Sequence, residues 1–476
     1  MSVKQNSELV SRSACELTQE IRKGQLSSRE LVSASLAQIE RVNPHLNALV
    51  TVDANRALKM ADAADRQQAQ GESLGPLHGL PVAHKDSFLT QGMRTTWGSE
   101  IYADHIPAEN SLIVSRQIQA GAISVGKSNM PEFGAGSQTF NKIFGCTRNP
   151  YNPALTCGGS SGGAAVALAT GMVSLADGSD MGGSLRNPAS FCNVVGLRPS
   201  AGRVPLWPNS NSFGQLGVAG PMGRTVADVA LLLSVIAGPD PRDPLSIPTP
   251  GSDFRVSLDA DFRQTRVAFS ADLGGLPVSP EVRKITEEGV KRIAGMVQAV
   301  DYAEPSFSGA ARAFQVLRSL TFAGSFGALL KQHRHQMKRS LVWNIELSQD
   351  FSAEDVIEAE AVRARLFQDT RVLLNQWDFL VTPVSQTLPF PVEQEFVENI
   401  NGEPMSNYIE WMNSCSLITL TGHPAISIPC GFTADGLPVG IQIVGRYRDE
   451  LALLKFAHAC EALNKPWCSP SVISVI

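Results

Sequence analysis

The stretch Cys157-Gly-Gly-Ser160-Ser161-Gly-Gly-Ala164 is followed, after an Ala/Val-rich run, by Gly178-Ser-Asp180-Met-Gly-Gly-Ser184-Leu-Arg186. Glycine permits positive φ and close approach of backbone to a ligand. Successive peptide N–H groups in such a turn converge on one point and can bind a negative oxygen. A hydroxyl at the end of that concavity is a candidate nucleophile with an oxyanion hole beside it. Two such serines, Ser160 and Ser184, flank a short helical run and organise the reading of the rest.

Working towards the N-terminus, Ser13 with Glu16 and Ser27 with Glu30 read as capping boxes that open amphipathic helices. Val32, Leu36, Ile39 and Val42 keep helical spacing, and Asn43-Pro44 is expected to end that helix. A further helix is expected from Asn55 to Gln70. From Leu77 onward, β-like runs (Leu80–Ala83, Ser111–Val114, Ile123–Val125, Val194–Leu197) alternate with glycine turns and Ala-rich helices. That alternation predicts an α/β architecture. The proline-rich segment Pro239–Pro250 reads as a surface loop or boundary, and Ser279–Val300 and Ala311–Leu374 as long helices. Strands return at Phe379–Pro383, Ala425–Pro429 and Val439–Val444, followed by a helix over Glu450–Leu463. One domain is favoured, because the early turns and late strands can share one sheet.

The 476 residues, 43 % of them hydrophobic, describe a globular chain with ample core. A net charge of −5 gives no footprint for nucleic acid or an anionic membrane. The densest basic stretch, Lys331 to Arg339, reads as a solvated helix face. The N-terminal residues show no apolar signal region, and no uninterrupted apolar run approaches the about 20 residues that span a bilayer. Eight dispersed cysteines (Cys15, Cys146, Cys157, Cys192, Cys415, Cys430, Cys460, Cys468) without a CxxC pair argue against zinc or a disulfide framework. They suit a reducing compartment, and a cytoplasmic location is expected.

Two shorter patterns mislead. Gly121-Ala-Ile-Ser-Val-Gly126-Lys127-Ser128 matches the phosphate-loop expression letter for letter. Its inner residues look like a strand, however, and Pro131 stands where the helix should begin. Gly158-Gly-Ser160-Ser-Gly162 matches a nucleophile elbow, which needs a strand before it and Asp and His partners after it. Asn152–Cys157 is a poor strand because Pro153 interrupts it, and His423 and His458 read as structural histidines.

The paired glycine turns together with Lys85 carry a more specific signal. Gly-Gly-Ser-Ser-Gly-Gly at 158–163 and Gly-Ser-Asp-x-Gly-Gly-Ser-x-Arg at 178–186 resemble the amidase signature family. The resemblance extends to His78-Gly-Leu-Pro-Val-Ala-His-Lys85-Asp86, Gly126–Phe133, Phe191–Pro199, Asp378–Pro383 and Gly436–Gly445, in order along most of the chain. It implies one large domain whose central mixed sheet is covered by helices on both faces. Within it lie N-terminal helices (1–75), the signature core (76–235), a variable helical, substrate-pocket region (236–410) and C-terminal strands and helix (411–476).

The resemblance implies Lys85 as base, Ser160 as a proton relay preceded by a cis peptide, and Ser184 as nucleophile. A lysine serves as base only if its pKa falls by about 3 from ~10.4, a shift that burial supplies. Ser161 would hold the relay, and Asp180 and Arg186 would support the loop. The backbone N–H groups of Met181, Gly182, Gly183 and Ser184 would receive the oxyanion. Three residues depart from the common pattern: Met181 where Thr is usual, Asp177 for a small apolar residue, and His84 before the lysine. Met181 is expected to line the site, and His84 to perturb Lys85.

The expected activity is cleavage of non-peptide amide bonds, with esters and carbamates as further substrates and no metal or organic cofactor. Met130, Phe133, Gly134, Trp207 and the helix around Phe314–Phe326 are the expected pocket walls, suited to a small hydrophobic aryl or alkyl substrate. No nucleic-acid or membrane partner is expected, and the chain would act as a monomer or homodimer. Two alternatives stay open: the amidase component of a tRNA-dependent amidotransferase, which releases ammonia from glutamine, and a catalytically inert binding protein on the same fold.

Overall fold

Consecutive residues of the central strands send their side chains into different cores. Val82 packs in one apolar cluster and Ala83 in another, and Leu175 and Ala176 divide in the same way. This is the period-two alternation of a sheet buried on both faces. The computed structural model describes residues 3–463 and 470. Cys468 lies outside the described residues, and the seven described cysteines are free.

The sheet has eleven strands, and the chain is a single α/β domain. Across the sheet the order is Leu49–Val52, Ile123–Ser128, Pro81–Lys85, Leu175–Asp180, Val218–Gly223, Val195–Arg198, Ala425–Phe432, Pro438–Val444, Phe379–Pro383, Arg266–Phe269 and Ala299–Tyr302. Pro81–Lys85 runs parallel to both of its neighbours, and Arg266–Phe269 does likewise. The remaining pairings are antiparallel, so the sheet is mixed.

Helices Ser28–Leu46, Ala54–Ala69 and Gly162–Ala169 contribute to one core. Helices Ala14–Arg22, Val226–Ile236, Pro280–Ala294 and Glu450–Leu463 contribute to the other. Both expected capping boxes form, with Ser13 and Ser27 accepting from the N–H groups of Glu16 and Glu30. Apart from these two layers, helix Ala310–His333 packs on both Arg339–Glu346 and Ala353–Gln376.

Several local expectations are corrected. Ser111–Val114 is no strand; Leu112–Gln119 is a helix, a short apolar run being compatible with either state. The second N-terminal helix passes through Pro44 and ends at Leu46, where Asn47 adopts φ 53. Pro44 gives up the N–H that would meet the Glu40 carbonyl, yet the last turn still closes, the Asn43 carbonyl receiving the N–H of Asn47. The helix expected through Val300 stops at Ala294, and Ala299–Tyr302 is the edge strand. Lys338, read as part of a solvated face, is turned inward onto the Ala135 carbonyl and the Phe140 ring.

By length and composition, Ala310–His333 is the one helix among the described residues able to cross a bilayer. In this fold it packs on Ala353–Gln376 and forms a wall of the principal cavity.

Candidate active site

Lys85 ends the strand Pro81–Lys85, and Asp180 ends its parallel neighbour Leu175–Asp180. The glycine turns follow at the same end of the sheet. Helix Gly162–Ala169 begins directly after Ser160-Ser161, and helix Arg186–Phe191 begins just after Ser184. Two of the glycines are required by geometry. Gly183 sits at φ +119, which side-chain-bearing residues rarely adopt, and a Cβ on Gly178 would stand 2.6 Å from Ser161 Oγ.

The Lys85 side chain is 0 % exposed. Its Nζ donates to Ser160 Oγ (2.7 Å), Ser161 Oγ (2.9 Å) and Ser179 Oγ (3.0 Å). Burial pushes its pKa down to about 7, against the opposing pull of the Asp180 and Asp177 carboxylates. The Gly159–Ser160 peptide is cis. Ser160 and Ser184 share the wall of one cavity of about 610 Å³, with Lys85 behind Ser160. The Ser184 N–H turn is tied to the relay through its carbonyl, which accepts the Ser161 N–H (3.2 Å). The hydroxyl of Ser184 makes no hydrogen bond among the described residues.

Asp180 organises the second turn. Its carboxylate accepts from the N–H groups of Gly183 and Leu185 (3.0 Å each) and from the Arg186 guanidinium (2.9 and 3.1 Å). Arg198 donates to its backbone carbonyl (2.6 Å) and approaches its carboxylate at 3.3 Å. Burial alone would raise the pKa of this carboxyl, but the charges of Arg186 and Arg198 hold it well below the usual range. Because the Gly183 N–H is committed to Asp180, the free donors of the turn reduce to Met181, Gly182 and Ser184.

His84 does not reach the Lys85 amine. Neighbours on a strand point to opposite faces, and the His84 ring lies 2.6 Å from Asp177 Oδ2 and 2.8 Å from Ser124 Oγ. Ser124–His84–Asp177 thus copies the outline of a hydrolytic triad, but all three are fully buried and none lines the cavity that holds Ser160 and Ser184. Asp177 also accepts the Lys85 backbone N–H (2.7 Å) and the Gln117 amide (2.8 Å).

Of the expected pocket residues, Phe133 and Gly134 line the cavity, together with Leu317, Phe322 and Phe326 of the long helix. Met181 lines it as well. Met130 does not; it is 2 % exposed and packed beneath Gly134. Trp207 also turns away, under the Arg242 guanidinium, while its neighbours Leu206 and Asn209 take the wall position. Ser179 and Arg318 are polar residues of the site that motif reading passed over. Ser179 lies next to the end of its strand, where its hydroxyl meets the Lys85 amine. Arg318 announces itself as a charge set among Val316, Leu317 and Leu320.

The decoy patterns resolve physically. Ile123–Ser128 is a strand, and Lys127 is buried against the Thr90 and Thr95 hydroxyls (2.9 and 3.1 Å) and the Phe88 carbonyl. His423 is buried on the Thr421 carbonyl (2.9 Å), and burial pushes its pKa down to about 4. No group of three metal-ligating side chains occurs among the described residues.

Residues 30–454 match the family model described as Amidase. The chain is 34 % identical to an acylamidase of Rhodococcus erythropolis, over 96 % of each chain. It is 35 % identical to the A-subunit of a glutamyl-tRNA(Gln) amidotransferase from Synechococcus sp. (strain CC9605), over 95 % of this chain and 96 % of that one. Among solved structures, a bacterial aryl acylamidase of the amidase signature enzymes superposes with a TM-score of 0.89 at 30 % identity, over 96 % of both chains.

Proposed function

This chain belongs to the amidase signature family and is an amidohydrolase, and on that premise we propose that it cleaves non-peptide amide bonds through an acyl-enzyme on Ser184. The observation that carries this reading is the 2.7 Å contact between a solvent-free lysine amine and Ser160 Oγ. An amine with a pKa of about 7 is neutral in a large fraction of molecules at neutral pH and can accept a proton.

In the proposed reaction the Ser184 hydroxyl attacks the amide carbonyl. Its proton passes to Ser160 Oγ while the Ser160 proton passes to Lys85 Nζ. The unbonded Ser184 hydroxyl is free to turn towards Ser160 once a carbonyl occupies the turn. The developing oxyanion is received by the N–H groups of Met181, Gly182 and Ser184, and each such donor is typically worth ~10²–10³ in rate. Collapse breaks the C–N bond, and the leaving amine takes the proton back along the same path. Water then attacks the ester on Ser184 with Lys85 and Ser160 again serving as base and relay. No step calls on a metal or an organic cofactor.

The cavity walls Phe133, Leu206, Leu317, Phe322, Phe326 and Met412 support a hydrophobic aryl or alkyl group on the substrate. Carbamates and esters present the same electrophilic carbonyl and belong in the same screen. Release of 4-nitroaniline from acyl-4-nitroanilides by the lone protein tests the reading. A second reading, the glutamine-hydrolysing component of a tRNA-dependent amidotransferase, draws on the 35 % identity to the Synechococcus protein. Anilide turnover without partner, ATP or tRNA rejects that second reading; dependence on all three rejects the first. An inert binding protein would do neither and would leave a fluorophosphonate unreacted.

A further inference from the structure

Four charged residues line the principal cavity: Asp180, Arg318, Glu360 and Arg363. Asp180 is held by Arg186 and Arg198. Arg363 approaches Glu360 (3.6 Å) and donates to Gln215 (2.8 Å) at the rim. Arg318 has no carboxylate partner among the described residues, although it is 3 % exposed. Its partners are uncharged: Nε donates to Asn344 Oδ1 (3.1 Å), Nη2 to the Tyr408 hydroxyl (2.6 Å), and Nη1 meets Met181 Sδ (3.2 Å). The plane is braced by the Phe322 ring, 4.4 Å from Cζ to centroid.

A guanidinium carries five N–H donors in a rigid fork, and these contacts use three. The remaining N–H groups belong to Nη1 and Nη2, the two nitrogens that form the bidentate face for a carboxylate. A cation taken out of water without an anion is costly, so the empty face is a stored demand for a counter-charge. Asn344 in turn bonds the Tyr408 hydroxyl (2.6 Å), which fixes the fork in one orientation. Met181, touched by Nη1, begins the turn that leads to Ser184, so the fork lies beside the reacting centre rather than at the rim.

We propose that Arg318 docks a carboxylate carried by the substrate, so that the preferred amides join an apolar body to an acid group. This rests on the amidase reading above and narrows its substrate class. Arg318 acts as a specificity-determining residue; the proton path through Lys85 and Ser160 does not involve it.

The experiment compares kcat/KM for succinyl-, glutaryl- and adipoyl-4-nitroanilide with their methyl esters, and for N-acetyl-4-aminobenzoate with its methyl ester. The proposal expects at least one acid to exceed its ester by on the order of 10- to 100-fold, the range of a charge-assisted hydrogen bond. Arg318→Met should erase that preference through KM, bringing the acid-to-ester ratio of kcat/KM to about one. Arg318→Lys, which keeps the charge but loses the fork, should retain part of it. The proposal is overturned if every ester equals or exceeds its acid in the wild type, or if Arg318→Met slows acids and esters equally, the mark of a structural role. Should Arg318→Met fail to fold, the wild-type ratios and Arg318→Lys still decide. Failure to cleave any compound of the panel would instead reject the amidase reading itself.

Discussion

Asp177 bridges His84 and Lys85: one carboxylate oxygen lies 2.6 Å from the His84 ring, and the other accepts the Lys85 backbone N–H at 2.7 Å. The position of the base is therefore set by a buried side chain that itself never meets the cavity. Two departures from the common family pattern, His84 and Asp177, are partners of each other.

The first prediction concerns the charge at this bridge. The Asp177 carboxylate favours the ammonium form of Lys85, although burial and Asp180 weigh more. Asp177→Asn keeps an acceptor for the Lys85 N–H but removes the charge. The acid limb of the kcat/KM profile should move to lower pH, read from anilide hydrolysis between pH 5 and 9. An unmoved or raised limb would contradict the electrostatic role given to Asp177.

Lys85 links activity and stability to pH in a defined direction. Its folded pKa of about 7 lies below an unfolded value near ~10.4, so between these limits the unfolded chain binds more protons. The penalty for burying the ammonium is full below pH 7 and is relieved as pH rises, by roughly 1.4 kcal/mol per pH unit. Melting curves should show wild type gaining on Lys85→Met between pH 7 and 9, while the variant loses hydrolysis at every pH. Parallel pH dependences in the two proteins would place the amine in contact with water.

Asp180 stabilises where the buried Lys85 ammonium penalises, and its contribution likewise grows with pH, in a lower window. Its folded carboxyl is held well below the unfolded value of ~3.9, so its contribution is complete at neutral pH and is lost as pH falls below about 4. Asp180→Asn breaks a buried ion pair with Arg186 and should cost about 3–5 kcal/mol at pH 7. The melting difference between wild type and variant should narrow under acid. A variant as stable as wild type at pH 7 would show that the pair does not hold the turn.

How far the sequence alone led depended on what each residue was doing. The helix Glu450–Leu463 and the capped N-terminal helices follow from local chemistry, which tertiary contacts do not override. Strand Leu175–Asp180 was hidden because its residues Asp177, Ser179 and Asp180 serve the site, so its apolar alternation is broken. Ser111–Val114 was misleading because three apolar residues, Leu112, Ile113 and Val114, suit a helix turn and a strand equally. The family resemblance implied roles for Lys85, Ser160 and Ser184, and the fold gathers these three residues at one end of the sheet. It could not orient Trp207, whose ring is drawn away by Arg242 from a distant loop. Arg318 and Met181 meet only because a helix remote in sequence lies across the second glycine turn.

The central claim is that Ser184, relayed by Ser160, forms the covalent intermediate. Treatment with a fluorophosphonate, followed by intact-mass measurement and peptide mapping, tests it most directly. The account predicts a single adduct on Ser184, absent in Ser184→Ala and strongly slowed in Lys85→Ala. An adduct on Ser160, or full labelling of Ser184→Ala, would contradict it.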